Sequence, residues 1–155
     1  RRIDAAVLAI PLLGKVLRNL QFALYFRTFG VLLQRGVPLV DALRIAIDTL
    51  TNQALRQDME PLVAVVKTGQ RLSSGLNSPH FAGTSTPQLI RVAEETGQLG
   101  STVLSLSARY EDEGRRTMGR VLATMEPLII IVLGLLVAFI IVAILGGVLS
   151  INDTI

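Results

Sequence analysis

The sequence predicts an all-α protein, an antiparallel helical bundle of about six helices followed by one C-terminal transmembrane helix. Along most of the chain, apolar residues recur at helical spacing and no alternating, strand-like run interrupts them. Residues 127–149 then contain no charged or amide side chain, and about 20 apolar residues in a helix match the hydrocarbon core of a bilayer. A helix buried in a large soluble core is the alternative, but 155 residues offer too little chain to surround it.

Charge and hydropathy divide the chain into four predicted parts. All fifteen lysines and arginines lie at or before Arg120, so the positive-inside rule places the main body in the cytoplasm. The sequence starts with Arg1 and not with Met, so we expect it to belong to a longer protein. The predicted parts are a lead-in or linker (1–15), a cytoplasmic bundle (16–120), a membrane-entry and transmembrane helix (121–149) and a short periplasmic tail (150–155).

The first two predicted helices form a hairpin. A helix over about residues 16–34 places Phe22, Phe26, Phe29 and Leu33 on one face, which we expect to be the centre of the core. A glycine and a proline, at positions 36 and 38, are typical of a left-handed helix end and a new helix start. The second helix is predicted over residues 38–49.

Prolines shape the helices that follow. A third helix over about 52–68 should be kinked or divided at Pro61. Turn-forming residues make 70–86 the loosest part, with at most a short helical turn near 72–76 and His80 as an exposed loop residue. Thr86 should cap the next helix, which ends at Gly97, and Pro127 should bend the last helix at the membrane.

The last cytoplasmic helix is predicted to begin near Gly100. Its outer face carries two acidic residues, Glu111 and Asp112, each four positions before an arginine, Arg115 and Arg116. This order favours ion pairs along the helix.

Composition excludes several classes of function. The net charge is +3, but the basic residues are interleaved with acids and form no long run, so nucleic-acid binding is not expected. With no cysteine and one histidine, the chain offers no thiolate or paired-histidine metal site. We also find no phosphate-binding glycine loop and no nucleophile with a base. Neither an enzyme nor a cofactor is therefore expected.

Two groups of residues are candidates for contact with other proteins. Glu94 and Glu95 lie in the last turn of their helix, where the helix dipole disfavours anions. A solvated helix end can carry them, but local preferences are also broken where function requires it. The partner-binding candidates are Arg91, Glu94, Glu95, Thr96 and Gly97. In the membrane segment, small residues four apart can let helices approach closely: Gly134 and Ala138, then Ala143 and Gly147.

Several stretches together resemble the type II secretion F protein family, the inner-membrane platform proteins of type II secretion and type IV pilus machines. They occur in this order along nearly the whole chain: Pro11-Leu12-Leu13-Gly14, Phe26-Arg27-Thr28, Gln34-Arg35-Gly36-Val37-Pro38-Leu39 with Ala42-Leu43, Glu94-Glu95-Thr96-Gly97-Gln98-Leu99, and Glu126-Pro127-Leu128-Ile129.

The resemblance implies a fold and a function. It implies the second of two repeated cytoplasmic six-helix domains, followed by the last of three membrane helices. It also implies a non-enzymatic protein in the bacterial inner membrane that couples a cytoplasmic ATPase to pilin-like subunits, contacts other inner-membrane components and membrane lipid, and forms a homo-oligomer. The sequence departs from the family at Ala93, usually a glycine, at Gly100, where an acidic N-cap is common, and in the loop Gly83-Thr84-Ser85-Thr86.

Two other functions stay open on the sequence alone. One is a tail-anchored helical adaptor or receptor unrelated to secretion, and the other is a membrane-bound enzyme subunit. Neighbouring genes for a secretion ATPase and pilin-like proteins would separate the platform function from both.

Overall fold

The computed structural model describes residues 11–152, apart from the side chains of 11–13, 124, 125, 128 and 146–152. The described part is all-helical, as predicted, and the chain divides into two compact units, Arg1–Met118 and Gly119–Ile155. The first ten residues of the predicted lead-in and residues 153–155 of the predicted tail lie outside the described residues. The α-helices are α1 (Pro11–Gln34), α2 (Leu39–Asp48), α3 (Gln53–Met59), α4 (Pro61–Lys67), α5 (Leu72–Gly75), α6 (Thr86–Thr96) and α7 (Leu99–Asn152).

Helix α1 supplies the centre of the core. Its predicted aromatic face is confirmed, because Phe22, Phe26 and Phe29 are all buried. Tyr25, which the prediction left out, is buried as well, and burial raises its pKa well above the usual value. The helix begins at Pro11 and not near residue 16, because a proline in the first helical turn loses no hydrogen bond.

A tight turn joins α1 to α2. Gly36 adopts a left-handed conformation with φ of 81°, as its position predicted. The amide of Gly36 donates to the carbonyl of Leu33 and the amide of Val37 donates to that of Leu32, both at 3.0 Å. This pair of hydrogen bonds satisfies the last carbonyls of α1. Pro38 caps α2 instead of lying within it, one position from the predicted start.

The third predicted helix is divided in two at Pro61, which was one of the two predicted outcomes. A proline inside a helix lacks an N–H donor and crowds the preceding turn. Asn52 caps the first piece, α3, because its side-chain oxygen accepts hydrogen bonds from the amides of Ala54 at 2.9 Å and Leu55 at 3.2 Å.

The segment between α4 and α6 holds the short helix α5 and a 3-10 turn over Pro79–Phe81. Phe81 belongs to the core. The prediction that His80 is an exposed loop residue was wrong: its side chain is only 19% exposed, and Nε2 lies 3.0 Å from a carboxylate oxygen of Asp58. Burial lowers the pKa of His80 below 6.5, although the Asp58 charge opposes this.

Helix α6 starts at Thr86, so Ser85 and not Thr86 is the N-cap residue. The Thr86 side chain is buried, and its hydroxyl lies 2.9 Å from the phenol oxygen of Tyr110. A buried hydroxyl is stable only when it is hydrogen-bonded, and this contact occupies the group predicted to cap the helix. The predicted end of the helix is confirmed, because Gly97 is left-handed with φ of 69°.

The first part of α7 packs closely on α1 through glycine. A Cβ atom built on Gly30 would lie 2.7 Å from Cγ of Leu104 and 3.0 Å from the carbonyl oxygen of Gly100, so only glycine fits there without a shift. The hydroxyl of Ser107 donates to the carbonyl of Ala23 at 2.9 Å.

Both predicted surface ion pairs of α7 are present. Arg115 lies 2.8 Å from Glu111, and Arg116 lies 2.9 Å from Asp112.

The second unit is helical from Gly119 to Asn152, and the helix continues through Pro127. Its described side chains over 129–145 are exposed and carry no charge. In the part of the chain that the structure describes, no helix has an apolar stretch long enough to cross a membrane. The predicted bend at Pro127 and the predicted span stay predictions.

Candidate partner-binding site

The adjacent residues Glu94 and Glu95 near the end of α6 have different partners. The two carboxylate oxygens of Glu94 accept hydrogen bonds from the backbone amides of Leu72, at 2.5 Å, and Ser73, at 3.1 Å. These amides begin α5, so Glu94 acts as a cap for a helix 21 residues or more away in sequence. The unfavourable position of Glu94 in its own helix is therefore compensated by a contact within the fold.

Glu95 is held by two arginines at the surface. Its Oε1 accepts hydrogen bonds from Nη1 of Arg71 at 2.7 Å and from Nε of Arg91 at 3.4 Å. The hydrogen bond from Arg71, followed by that from Arg91, lowers the pKa of the Glu95 carboxyl. The three side chains are 44–68% exposed, so this cluster contributes little to stability and remains accessible to another molecule.

A groove of about 320 Å³ lies beside these arginines. Its walls come from α5 and the start of α6, together with both arginines: Arg71, Ser73, Ser74, Pro87, Gln88 and Arg91. Guanidinium groups bind carboxylates with two parallel hydrogen bonds, and serine hydroxyls and an amide can pair with backbone groups. This arrangement suits a polar protein segment that carries an acidic side chain.

The other two candidates, Thr96 and Gly97, close the end of α6. The hydroxyl of Thr96 donates to the carbonyl of Val92 at 2.9 Å, and Gly97 has the left-handed backbone of a C-cap. Both residue types are therefore explained by the way in which α6 ends. The structure therefore brings Arg91 and Glu95 together with Arg71, places Glu94 on α5, and leaves Thr96 and Gly97 at the helix terminus.

Sequence reasoning missed Arg71. This residue precedes α5 in a segment without helical periodicity, and its partner Glu95 is 24 positions away. Among the described residues, no group of three or more His, Cys, Asp or Glu side chains is arranged to hold a metal ion.

The small residues predicted for membrane helix packing are only partly described. A Cβ atom on Gly134 would meet no atom within 4 Å, and Ala138 and Ala143 are exposed. The surroundings of Gly147 lie outside the described side chains. Helix packing through these residues stays a prediction.

Comparison with known proteins identifies the family. The sequence model described as "Type II secretion system (T2SS), protein F" matches residues 25–147, most of both units. The chain belongs to the type II secretion system protein F family. The family resemblance predicted from the sequence motifs is thus confirmed.

Relatives in this family carry two kinds of name. Type II secretion system protein F of Xanthomonas campestris is 35% identical over 127 residues, which cover 82% of this chain and 31% of the relative. The Vibrio cholerae protein of the same name is 26% identical over 98% of this chain and 37% of its own length. Type IV pilus assembly protein PilC of Pseudomonas aeruginosa is 29% identical over 91% of this chain and 38% of its own length.

The chain thus spans between three and four tenths of the length of these three relatives. No solved structure matches it.

Proposed function

We propose that this chain is part of a non-enzymatic inner-membrane platform protein of a type II secretion or type IV pilus machine. The observation that carries the proposal is the family match over residues 25–147. Relatives named for secretion and for pilus assembly match similar shares of the chain, so the proposal covers both machines. The family match favours this function over a tail-anchored adaptor unrelated to secretion.

The membrane part of the proposal concerns the second unit. Exposed apolar side chains without a charge occupy 129–145, and water is a poor solvent for so large an apolar surface. Arg115, Arg116 and Arg120 lie before this segment, which favours a cytoplasmic first unit and a periplasmic C-terminus. We also propose that the small residues from Gly134 to Gly147 allow a homo-oligomer to form in the membrane.

Orientation can be tested with single cysteines, since residues 1–155 contain none. Ala108→Cys, at an exposed position on α7, should react with an impermeant maleimide only after the inner membrane is permeabilised. Thr154→Cys should react in intact spheroplasts. The reverse pattern would refute the proposed orientation.

The partner part of the proposal concerns the docking face, defined as Arg71, Arg91 and Glu95 with their groove. We propose that it binds a cytoplasmic component of the machine, the secretion or pilus ATPase, while other parts of the whole protein contact inner-membrane components and pilin-like subunits. Its support is chemical: two exposed arginines share one carboxylate, so an acidic group of a partner can take the place of Glu95 without unfolding the domain.

Machine output in cells tests the function. Deletion of the gene should abolish secretion or piliation, and the wild-type gene should restore it. Arg91→Glu should fail to restore output at normal protein level, because it places an anion where a cation would bind the acidic group of the partner. Arg56→Glu is the matched control, since the side chain of Arg56 is also partly exposed and lies 3.7 Å from a carboxylate four positions further on, that of Glu60.

Two outcomes would contradict the proposal. Normal secretion and piliation in the deletion strain would remove the platform function. Full output from Arg91→Glu, or equal loss from Arg56→Glu, would remove the docking face while leaving the platform function intact.

A further inference from the structure

A second cavity, of about 690 Å³, lies within the first compact unit. One wall is the loop Gly83-Thr84-Ser85-Thr86. The other walls come from the start of α1 and from the first part of α7. No residue lining this cavity lines the groove of the docking face, so the two are separate features. Its volume lies within the range of about 300–1,000 Å³ that small-molecule sites occupy.

The cavity is strongly basic. Lys15, Arg18 and Arg109 line it, against one carboxylate, Glu113. Among the described residues, none of the three cations forms an ion pair with a carboxylate, and Arg109 donates only a 3.3 Å hydrogen bond to the hydroxyl of Ser85. Three cations in one concave surface repel each other unless an anion lies between them.

The charge of Arg18 acts on the pKa of two other residues in the cavity wall. His80 and Tyr110 both line the cavity. Burial is the main cause that lowers the pKa of His80, and the Arg18 charge lowers it further against the effect of Asp58. Burial raises the pKa of Tyr110, while the Arg18 charge acts in the opposite direction. Because its pKa is lowered from 6.5, His80 adds less positive charge near pH 7 than an ordinary histidine, and the charge of the lining comes mainly from the two arginines and the lysine.

Hydroxyl groups complete the lining. Ser85 accepts the hydrogen bond from Arg109, and no hydrogen bond of its own hydroxyl hydrogen is found among the described residues, so it can donate to a ligand. Ser85 also leaves α6 without a side-chain cap, although this is the residue type that usually supplies one. The positive end of the helix dipole of α6 therefore adds to the charge of the three cations at this wall.

We propose that this cavity binds a phosphate group, carried either by a free nucleotide-sized metabolite or by the headgroup of an anionic lipid. Two arginines and a lysine match a doubly charged oxyanion, since guanidinium groups pair with phosphate oxygens through two parallel hydrogen bonds. The hydroxyl of Ser85 donates to a further oxygen. Glu113 lines the same cavity, and its carboxylate accepts a 3.4 Å hydrogen bond from the side-chain amide of buried Asn19. Its negative charge repels a phosphate group and so lowers the affinity.

Isothermal titration calorimetry of the full chain in a neutral detergent tests the proposal. Pyrophosphate is the probe for a free phosphate compound, and dihexanoyl phosphatidylglycerol is the probe for a lipid headgroup, with dihexanoyl phosphatidylcholine as the neutral lipid control. Binding of pyrophosphate alone assigns the site to a free ligand, and binding of phosphatidylglycerol alone assigns it to lipid. Either result supports the proposal, whereas failure of both probes to bind at millimolar concentration overturns it.

Binding by variants distinguishes a specific site from a general attraction of anions to a basic protein. Arg18→Gln and Arg109→Gln should each weaken binding by about tenfold or more, because each removes a charged hydrogen-bond donor. Arg44→Gln, an exposed arginine outside the cavity, should leave binding unchanged. Glu113→Gln keeps the side-chain shape and should tighten binding, because it removes the one opposing charge.

The gain in affinity is the decisive arm, since a variant that merely disturbs folding cannot produce it. Unchanged or weaker binding by Glu113→Gln, or a loss in Arg44→Gln equal to that in Arg18→Gln, overturns the site.

Discussion

Replacing Glu94 by alanine should destabilise the first compact unit. The change removes the acceptor of two backbone hydrogen bonds, and the amide of Leu72 then has no partner in a residue that is 1% exposed. A lost helix cap costs about 0.5–2 kcal/mol, and an unsatisfied buried amide costs about 1–3 kcal/mol. Because the two terms describe overlapping contacts, we expect a total loss of about 1–3 kcal/mol in the free energy of unfolding.

Glu95→Ala is the matched control. The two residues are adjacent in one helix and chemically identical, but Glu95 is paired only with exposed arginines. We therefore expect its replacement to change stability far less than that of Glu94. The loss of stability for Glu94→Gln should lie between those of the two alanine variants. The amide oxygen of glutamine can accept one hydrogen bond, but its NH₂ group faces the other donor.

Urea unfolding followed by tyrosine fluorescence measures these differences. The chain has two tyrosines and no tryptophan, and both Tyr25 and Tyr110 belong to the first unit, so the signal reports that unit alone. Equal losses for Glu94→Ala and Glu95→Ala, or a larger loss for Glu95→Ala, would refute the division of the pair into a structural and an exposed residue. The expected larger loss for Glu94→Ala bears on function. Low output from a Glu94 variant would then reflect lost stability and would say nothing about partner binding.

Three further changes test the packing and the pH dependence. Phe26→Ala should lower the free energy of unfolding by about 3–5 kcal/mol, because the ring is buried among aromatic rings whose centroids lie 4.9–6.4 Å away. Leu24→Ala, at an exposed position, should cost little. A loss below about 1 kcal/mol for Phe26→Ala in urea unfolding would show that the ring lies outside the core. Gly30→Ala should lower stability by about 1–3 kcal/mol, because the added methyl group overpacks its contact with Leu104. Gly119→Ala, with open space around it, should be neutral or stabilising in thermal melts. Equal effects of the two changes would exclude the close contact at Gly30. Because the folded-state pKa of His80 is lowered, its contribution to stability is present above pH 6.5 and falls as the pH drops through 6.5 towards the folded pKa. His80→Gln should remove that slope between pH 7.5 and 5.5, and an unchanged slope would assign the pH dependence to other groups.

Local rules carried much of the fold. The aromatic face of α1 and its left-handed end at Gly36 follow from periodicity and from the backbone freedom of glycine, and both are confirmed. The division at Pro61 follows from the missing N–H of proline. Each of these features depends on residues within a few positions of one another, where sequence spacing determines geometry.

Contacts between distant segments could not be derived in the same way. The pairing of Glu94 with the start of α5, of His80 with Asp58 and of Thr86 with Tyr110 depends on the packing of helices, which periodicity does not specify. The candidate site was located through the unfavourable position of its two glutamates. That rule detects an unfavourable interaction between a carboxylate and the helix dipole. It cannot distinguish a carboxylate that is compensated by a contact within the fold from one that contacts a partner.

Site-specific photo-crosslinking in living cells tests the proposed contact with the ATPase most directly. A photoreactive amino acid replaces Gln88, which is exposed and lines the groove of the docking face. We expect a crosslinked product with the cytoplasmic secretion or pilus ATPase, identified by mass spectrometry, and its loss when Arg91→Glu is added. The same probe at exposed Arg44 should give no such product. Absence of the ATPase product at Gln88, or equal yield at both positions, would contradict the proposed contact.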